Sequence, residues 1–244
     1  MLVKSQVKYI QSLGQKKQRD EAGVFIAEGP KIVSEMLREI PSQVQQLYAV
    51  KEWLDANKEL AARVRTIEIT TGDLERISQL STPHQVLAVI KQLEIPVTLV
   101  TQNKLTLVLD TIQDPGNMGT IIRTADWFGI TQIVCSHECA DMYNPKVVQS
   151  TMGSIARIKI MYTDIHAWLS SQQHIPVYAA MLEGKDVTTI EKPKEGIIII
   201  GNESKGVSKE LAALVTTKIT IVQKGRAESL NAAVATGIIL SYLS

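Results

Sequence analysis

The chain has 244 residues, 45% of them hydrophobic, and a formal net charge of +1, which suits one large or two modest packed domains and excludes a disordered chain. Near-neutral charge gives no global basic signal, so nucleic-acid contacts would have to come from local patches. No apolar run reaches the ~20 residues needed to span a bilayer and the N-terminus lacks a signal-peptide core, so no membrane partner is expected and the expected location is the cytoplasm.

Residues 4–13 read as a helix with Val7, Ile10 and Leu13 on one face. Val24 to Ala27 reads as a short strand, and Glu28-Gly29-Pro30 opens a helix through Leu37. Val44 to Val50 is a strand, Lys51 to Ala62 helical, Thr66 to Thr70 a strand and Asp73 to Leu80 a short helix with Thr71 or Gly72 near its cap. Val86 to Ile90 closes this first region, whose alternation of strands and helices indicates a small α/β domain. Lys4, Lys8, Lys16, Lys17 and Arg19 supply local positive charge.

Glu94 to Asn103, with Pro96, is the expected linker, which places the domains at 1–98 and 104–244. Beyond it the expected strands are 105–110, 131–135, 157–161, 176–181, 197–201 and 218–222. The expected helices are 116–128, 145–153, 164–173, 208–215 and 228–243. Continuous apolar strands of this kind fit a parallel sheet covered on both faces. Cys135 and Cys139, with His137 between them, lack a second ligand pair at zinc spacing, so no metal is expected. The plainer reading ends a buried strand at Cys135 and puts Cys139 in the next loop.

Three strands run into polar turns that bear or precede glycine, the place where an open α/β sheet sets its ligand site. The first turn is Asp110 to Gly119, with Asp114 or Asn117 as a helix cap, Pro115 in the first turn, and Arg123 on the helix that follows. The second is Gly201-Asn202-Glu203-Ser204-Lys205-Gly206 after four isoleucines. It has the outer glycine spacing of a P-loop, but Val207 stands where the lysine is required, so a nucleotide triphosphatase is not indicated. The third is Ile219-Thr220-Ile221, then Gly225, then Ser229-Leu230-Asn231 at the head of an apolar helix. A loop of this kind can read adenine through its own N–H and C=O groups.

In order and content the three turns resemble the SpoU, or TrmH-like, family of RNA ribose 2'-O-methyltransferases within the SPOUT superfamily. The resemblance implies a SPOUT-type parallel sheet with a C-terminal trefoil knot, where pattern alone would suggest an unknotted doubly wound sheet. It implies S-adenosyl-L-methionine as cofactor, with Gly201, Ile221, Ser229, Leu230 and Asn231 at the cofactor. It assigns catalysis to Arg123, Asn117, Glu203, Ser229 and Asn231, with Arg123 as a base or as a phosphate clamp. A homodimer is implied too, and Val234, Ile238, Ile239 and Tyr242 on the last helix suit an interface or a plain core. Lys8, Arg19, Phe25, Glu28 and Gly29 resemble the family's N-terminal substrate-binding domain, which is similar to a small ribosomal-protein fold that binds RNA.

The substrate implied is RNA, ribosomal RNA of the large subunit first. Transfer RNA, or a non-catalytic role in ribosome assembly, is the alternative. One departure stands out: Val222 occupies the place where many family members have proline.

Overall fold

The structure, a computed structural model, describes residues 2–94 and 98–244. The heart of the expected linker, residues 95–97, lies outside them. The chain divides into two compact units: Met1–Glu94 with Asp141–Ala156, and Ile95–Ala140 with Arg157–Ser244.

The first unit runs α1 (Lys4–Ser12), α2 (Lys16–Ala22), β1 (Val24–Glu28), α3 (Pro30–Glu39), β2 (Val44–Ala49), α4 (Lys51–Ala56), α5 (Lys58–Ala61), β3 (Thr66–Glu68), α6 (Thr71–Ile77) and β4 (Val86–Lys91). Its sheet has the order β1-β4-β2-β3, with β4 antiparallel to both β1 and β2 and β3 parallel to β2. The helix expected over 51–62 is interrupted at Asn57, whose Nδ2 donates to Trp53 O (2.9 Å). Thr70, rather than Thr71 or Gly72, caps α6 by accepting from Asp73 N.

Residues 141–156 belong to this unit for visible reasons. Asp141 takes an ion pair from Arg19 at 2.5 Å, and the Tyr143 ring stacks on Phe25 with centroids 4.9 Å apart. The Tyr143 hydroxyl exchanges hydrogen bonds with the Leu93 backbone, and burial pushes its pKa up to about 12. Arg19 is therefore no part of a surface charge patch. It is 2% exposed, and its guanidinium also donates to Leu13 O and Gly14 O at 2.9 Å.

The second unit carries β5 (Leu105–Leu109), α7 (Pro115–Trp127) and β6 (Gln132–Cys135). After α8 (Pro145–Thr151), which lies in the first unit, it continues with β7 (Lys159–Tyr162), α9 (Ile165–Ser171), β8 (Val177–Asp186), β9 (Gly196–Ile200), α10 (Lys209–Ala212), β10 (Thr217–Thr220) and α11 (Ala232–Leu243). All six strands are parallel, in the order β10-β8-β9-β5-β6-β7. The five residues of β9 are all buried, as an inner strand covered on both faces requires. One side of the sheet packs Val108, Val134, Val177, Ile197 and Ile199 against Ile165 and Leu169 of α9 and Leu211 of α10.

The strand order places β5, first in the unit, beside β9. Successive strands leave β5 in one direction, toward β6 and β7, and the chain then returns on its other side. The carboxyl ends of β5 and β9 therefore form the crevice where such sheets hold ligands. Helix α11 begins later than expected, at Ala232, and packs against α7. Among the described residues no helix is long and apolar enough to cross a membrane.

Candidate active site

The first turn is held by side chains from three directions. Asp110, buried at the end of β5, accepts from Ser208 N (2.9 Å) through Oδ2 and from the Thr111 hydroxyl (3.1 Å) through Oδ1. Thr111 has φ +61°, a left-handed conformation costly for a β-branched residue. Both of its backbone groups are captured: its N–H donates to Ser136 Oγ (3.1 Å), and its carbonyl accepts from Asn202 Nδ2 (3.0 Å). The next N–H, of Ile112, donates to Cys139 Sγ at 3.3 Å. The chain then enters α7, capped by Asp114, whose Oδ1 accepts from Asn117 N (2.8 Å), with Pro115 as the first helical residue.

The two cysteines thus support this turn. Cys135 is fully buried, and that burial pushes its thiol pKa well up. Cys139 is lowered to about 7, first by the hydrogen bond from Cys135 and then by backbone N–H groups, that of Ile112 among them. Among the described residues no group of three or more His, Cys, Asp or Glu could hold a metal ion.

The second turn closes on itself. Asn202 and Gly206 exchange backbone hydrogen bonds of 3.1 and 2.8 Å, and Asn202 Oδ1 accepts from Ser204 N and Lys205 N. Gly201 is required by this closure, because a Cβ there would lie 2.3 Å from the Gly206 carbonyl carbon. The closed turn presents Glu203, whose Oε1 accepts from Asn117 Nδ2 at 2.5 Å.

The third turn delivers Asn231. Its Oδ1 caps α11 by accepting from Ala233 N (3.0 Å) and Val234 N (3.2 Å), which leaves Nδ2 to donate to Asn117 Oδ1 at 2.8 Å. Chemistry fixes both amide orientations. A carboxylate only accepts, so the NH2 of Asn117 must face Glu203 and its oxygen must face the donor of Asn231. Glu203, Asn117 and Asn231 therefore form one chain joining all three turns.

The other expected site residues lie outside this chain. Arg123 is exposed on α7, with no hydrogen bond or ion pair among the described residues. It stands six residues beyond Asn117, about 9 Å of helix rise and roughly 240° around the axis. Ser229 and Leu230 are exposed and Ile221 half-buried, and the cap of α11 is Asn231. Sequence reasoning missed Asp110, Thr111 and Ser136 as supports of the site. Asp110 could have been found as the carboxylate ending an apolar strand. The left-handed threonine left no such signal.

Residues 104–241 match the SpoU rRNA Methylase family, and residues 4–88 match the MRM3-like substrate binding domain. The chain belongs to the SpoU family. The SpoU match covers all three turns and every residue of the hydrogen-bonded chain. Over 240 residues this SpoU protein is 30% identical to the 23S rRNA (guanosine(2553)-2'-O)-methyltransferase RlmP of Bacillus subtilis, covering 97% of this chain and 95% of that one. An AdoMet-bound rRNA methyltransferase from Sinorhizobium meliloti is 33% identical, with a TM-score of 0.87 over 98% of this chain and 94% of that one. The SpoU methyltransferase AviRb of Streptomyces viridochromogenes, in complex with AdoMet, is 25% identical with a TM-score of 0.84 over 98% and 97%.

Proposed function

We propose that this SpoU protein transfers a methyl group from S-adenosyl-L-methionine to a ribose 2'-OH of RNA, with 23S-type ribosomal RNA as the substrate. The observation that carries the proposal is the Glu203–Asn117–Asn231 chain, which locks the three turns into one constellation at the carboxyl ends of β5 and β9. The RNA class rests on the RlmP relative.

The residues present fit the cofactor. The closed Gly201–Gly206 turn and the loop after Ile221 offer backbone polar groups, while Leu230 is 44% exposed, apolar surface suited to a purine ring. Gly201, Ile221, Ser229, Leu230 and Asn231 would hold it. When bound, S-adenosyl-L-methionine supplies an electrophilic methyl on its sulfonium.

The protein's own work is then alignment and charge control. Arg123, permanently charged and without an ion-pair partner among the described residues, clamps an RNA phosphate and stabilises negative charge developing on the 2' oxygen. Asn117 holds Glu203 Oε1, leaving Oε2 as the carboxylate oxygen that takes the hydroxyl proton. Asn231 fixes Asn117, and Ser229 orients the reacting groups from the loop.

Along the sequence, residues 1–98 serve as the substrate-binding domain and 104–244 as the catalytic domain, a division supported by the two family matches, with 141–156 packed into the first compact unit. The working form is a homodimer. What supports it is an unpartnered apolar surface: Trp127, at the end of α7, is 85% exposed, and Val234 and Tyr242 are exposed on α11, which packs on α7. A threaded, knotted C-terminus is supported by the path of the chain, which leaves β10 on the far side of β8 and β9 and still brings Asn231 to Asn117. A cytoplasmic setting is supported by the two buried free thiols.

The test is incorporation of labelled methyl from S-adenosyl-L-methionine into ribosomal RNA lacking the modification, with Arg123→Ala as control. Label in one large-subunit ribose, lost with the substitution, is the expected result. Cofactor binding with no label in any RNA would sink the proposal.

A further inference from the structure

Residues 222–231, which connect Ile221 to the cap of α11, are all exposed. No core holds this stretch, yet it must deliver Ile221, Leu230 and Asn231 to fixed places. One side chain organises it. Gln223 Nε2 donates to Gly225 O at 3.0 Å and to Ala227 O at 2.9 Å, so both amide hydrogens tie down the loop that follows. Among the described residues these are the only hydrogen bonds within 222–230. The residue just before it is Val222, where a proline would have stiffened the chain by fixing φ.

We propose that Gln223 is the positioning residue of the cofactor loop, its carboxamide doing by hydrogen bonds what a proline at 222 would do by covalent restriction. The inference rests on the cofactor reading above. Its physical content is entropic. Without the two bonds, residues 222–230 sample many conformations, and S-adenosyl-L-methionine must order them on binding. Two exposed hydrogen bonds contribute modestly, so the expected loss of affinity is about threefold to tenfold.

Gln223→Ala is compared with the unsubstituted protein, with Gln223→Glu, and with the double variant Val222→Pro/Gln223→Ala. Proline at 222 removes no bonded donor, because the Val222 N–H has no partner among the described residues. Two readouts are taken. The first is trypsin cleavage after Lys224 and Arg226, both inside the loop, in protein free of cofactor. The second is S-adenosyl-L-methionine affinity by titration calorimetry, set beside turnover at saturating cofactor.

The expected result is several-fold faster cleavage and about threefold to tenfold weaker binding for Gln223→Ala and Gln223→Glu. Turnover at saturation and the melting temperature stay unchanged, and the double variant recovers both cleavage resistance and affinity. Equal cleavage of Gln223→Ala and the unsubstituted protein overturns the brace. Faster cleavage with unchanged affinity overturns its link to the site. If the unsubstituted protein does not bind S-adenosyl-L-methionine, the cofactor reading itself falls, an outcome recognised separately because cleavage needs no cofactor.

Discussion

Asn231 Nδ2 donates to Asn117 Oδ1 at 2.8 Å, so the residue that caps α11 also anchors the first turn of α7, 114 positions earlier in the chain. The two ends of one side chain thus do separable jobs. Asn231→Asp keeps an oxygen for Ala233 N and Val234 N but loses the donor to Asn117 and sets a second carboxylate near Glu203. Asn231→Ala loses cap and link together. The Asp variant should melt near the unsubstituted protein, whereas the Ala variant should lose about 1 kcal/mol. Both should lose turnover by roughly 100-fold, the order expected for a misplaced reacting group. Calorimetry beside single-turnover methylation separates the two effects; an Asp variant with full activity would show the link to be irrelevant.

Arg123 contrasts with that chain, because no ion pair or hydrogen bond holds it among the described residues. Its removal should therefore leave stability within about 0.5 kcal/mol while turnover falls roughly 1000-fold. Arg123→Lys keeps the charge but not the fork that grips a phosphate through two donors, and should recover only a small part of the loss. Methylation rates at saturating RNA and cofactor decide it. Near-normal turnover in the Lys variant would remove the need for a guanidinium.

Gly201 is committed by space rather than by conformation. A methyl group there would sit 2.3 Å from the Gly206 carbonyl carbon and 2.4 Å from Val207 N, backbone atoms that move only if the turn opens. Gly201→Ala should cost about 1–3 kcal/mol, the range for an overpacked site, and should abolish cofactor binding by opening the Gly201–Gly206 turn. Titration calorimetry with S-adenosyl-L-methionine, on protein shown to be folded, provides the check.

The strands were legible because β9 carries four isoleucines in a row and β5 is apolar but for Thr106, a pattern that parallel burial demands. The start of α7 was legible because Asp114-Pro115 is a cap followed by a first-turn residue. The pairing of Asn117 with Glu203 and Asn231 was not, since hydrogen bonds across 86 and 114 residues leave no local periodicity. The membership of residues 141–156 was hidden for the same reason. Asp141 and Tyr143 look like ordinary loop residues until Arg19 and Phe25 are seen beside them. Helix α2 was missed because its sequence, KKQRDEA, has no apolar stripe; Lys16–Asp20 and Lys17–Glu21 pairs lie along it instead.

Glu28 gives the first unit a pH dependence with a definite sign. Burial raises its pKa above the usual carboxylate value, and hydrogen bonds from the Ser78 hydroxyl and Gln79 N only partly offset this. The folded state therefore holds the proton more tightly than the unfolded chain. The contribution to stability is full below the unfolded pKa and is lost as pH rises through the folded one. The melting temperature of the unsubstituted protein should fall, relative to Glu28→Gln, as pH rises from 4 through the mildly acidic range, by roughly the shift that linkage predicts. Parallel curves for the two proteins would contradict it.

The Arg19–Asp141 pair sets the cost of severing residues 141–156 from the strand they support. Arg19 is buried, and its Nε has no hydrogen-bond partner among the described residues, so the guanidinium already bears a desolvation cost that Asp141 and two carbonyls offset. Asp141→Ala strands that charge and should destabilise the protein by about 3 kcal/mol. Removing both charges is different in kind. Arg19→Met/Asp141→Leu has no buried ion to desolvate, and should recover most of the loss, provided the methionine fills the guanidinium's space. Urea unfolding of the unsubstituted protein, Arg19→Met, Asp141→Leu and the double variant closes the cycle, with a coupling of at least about 1 kcal/mol expected for partners in contact. Additive losses would mean that the pair is held by the surrounding carbonyls and not by its own charges.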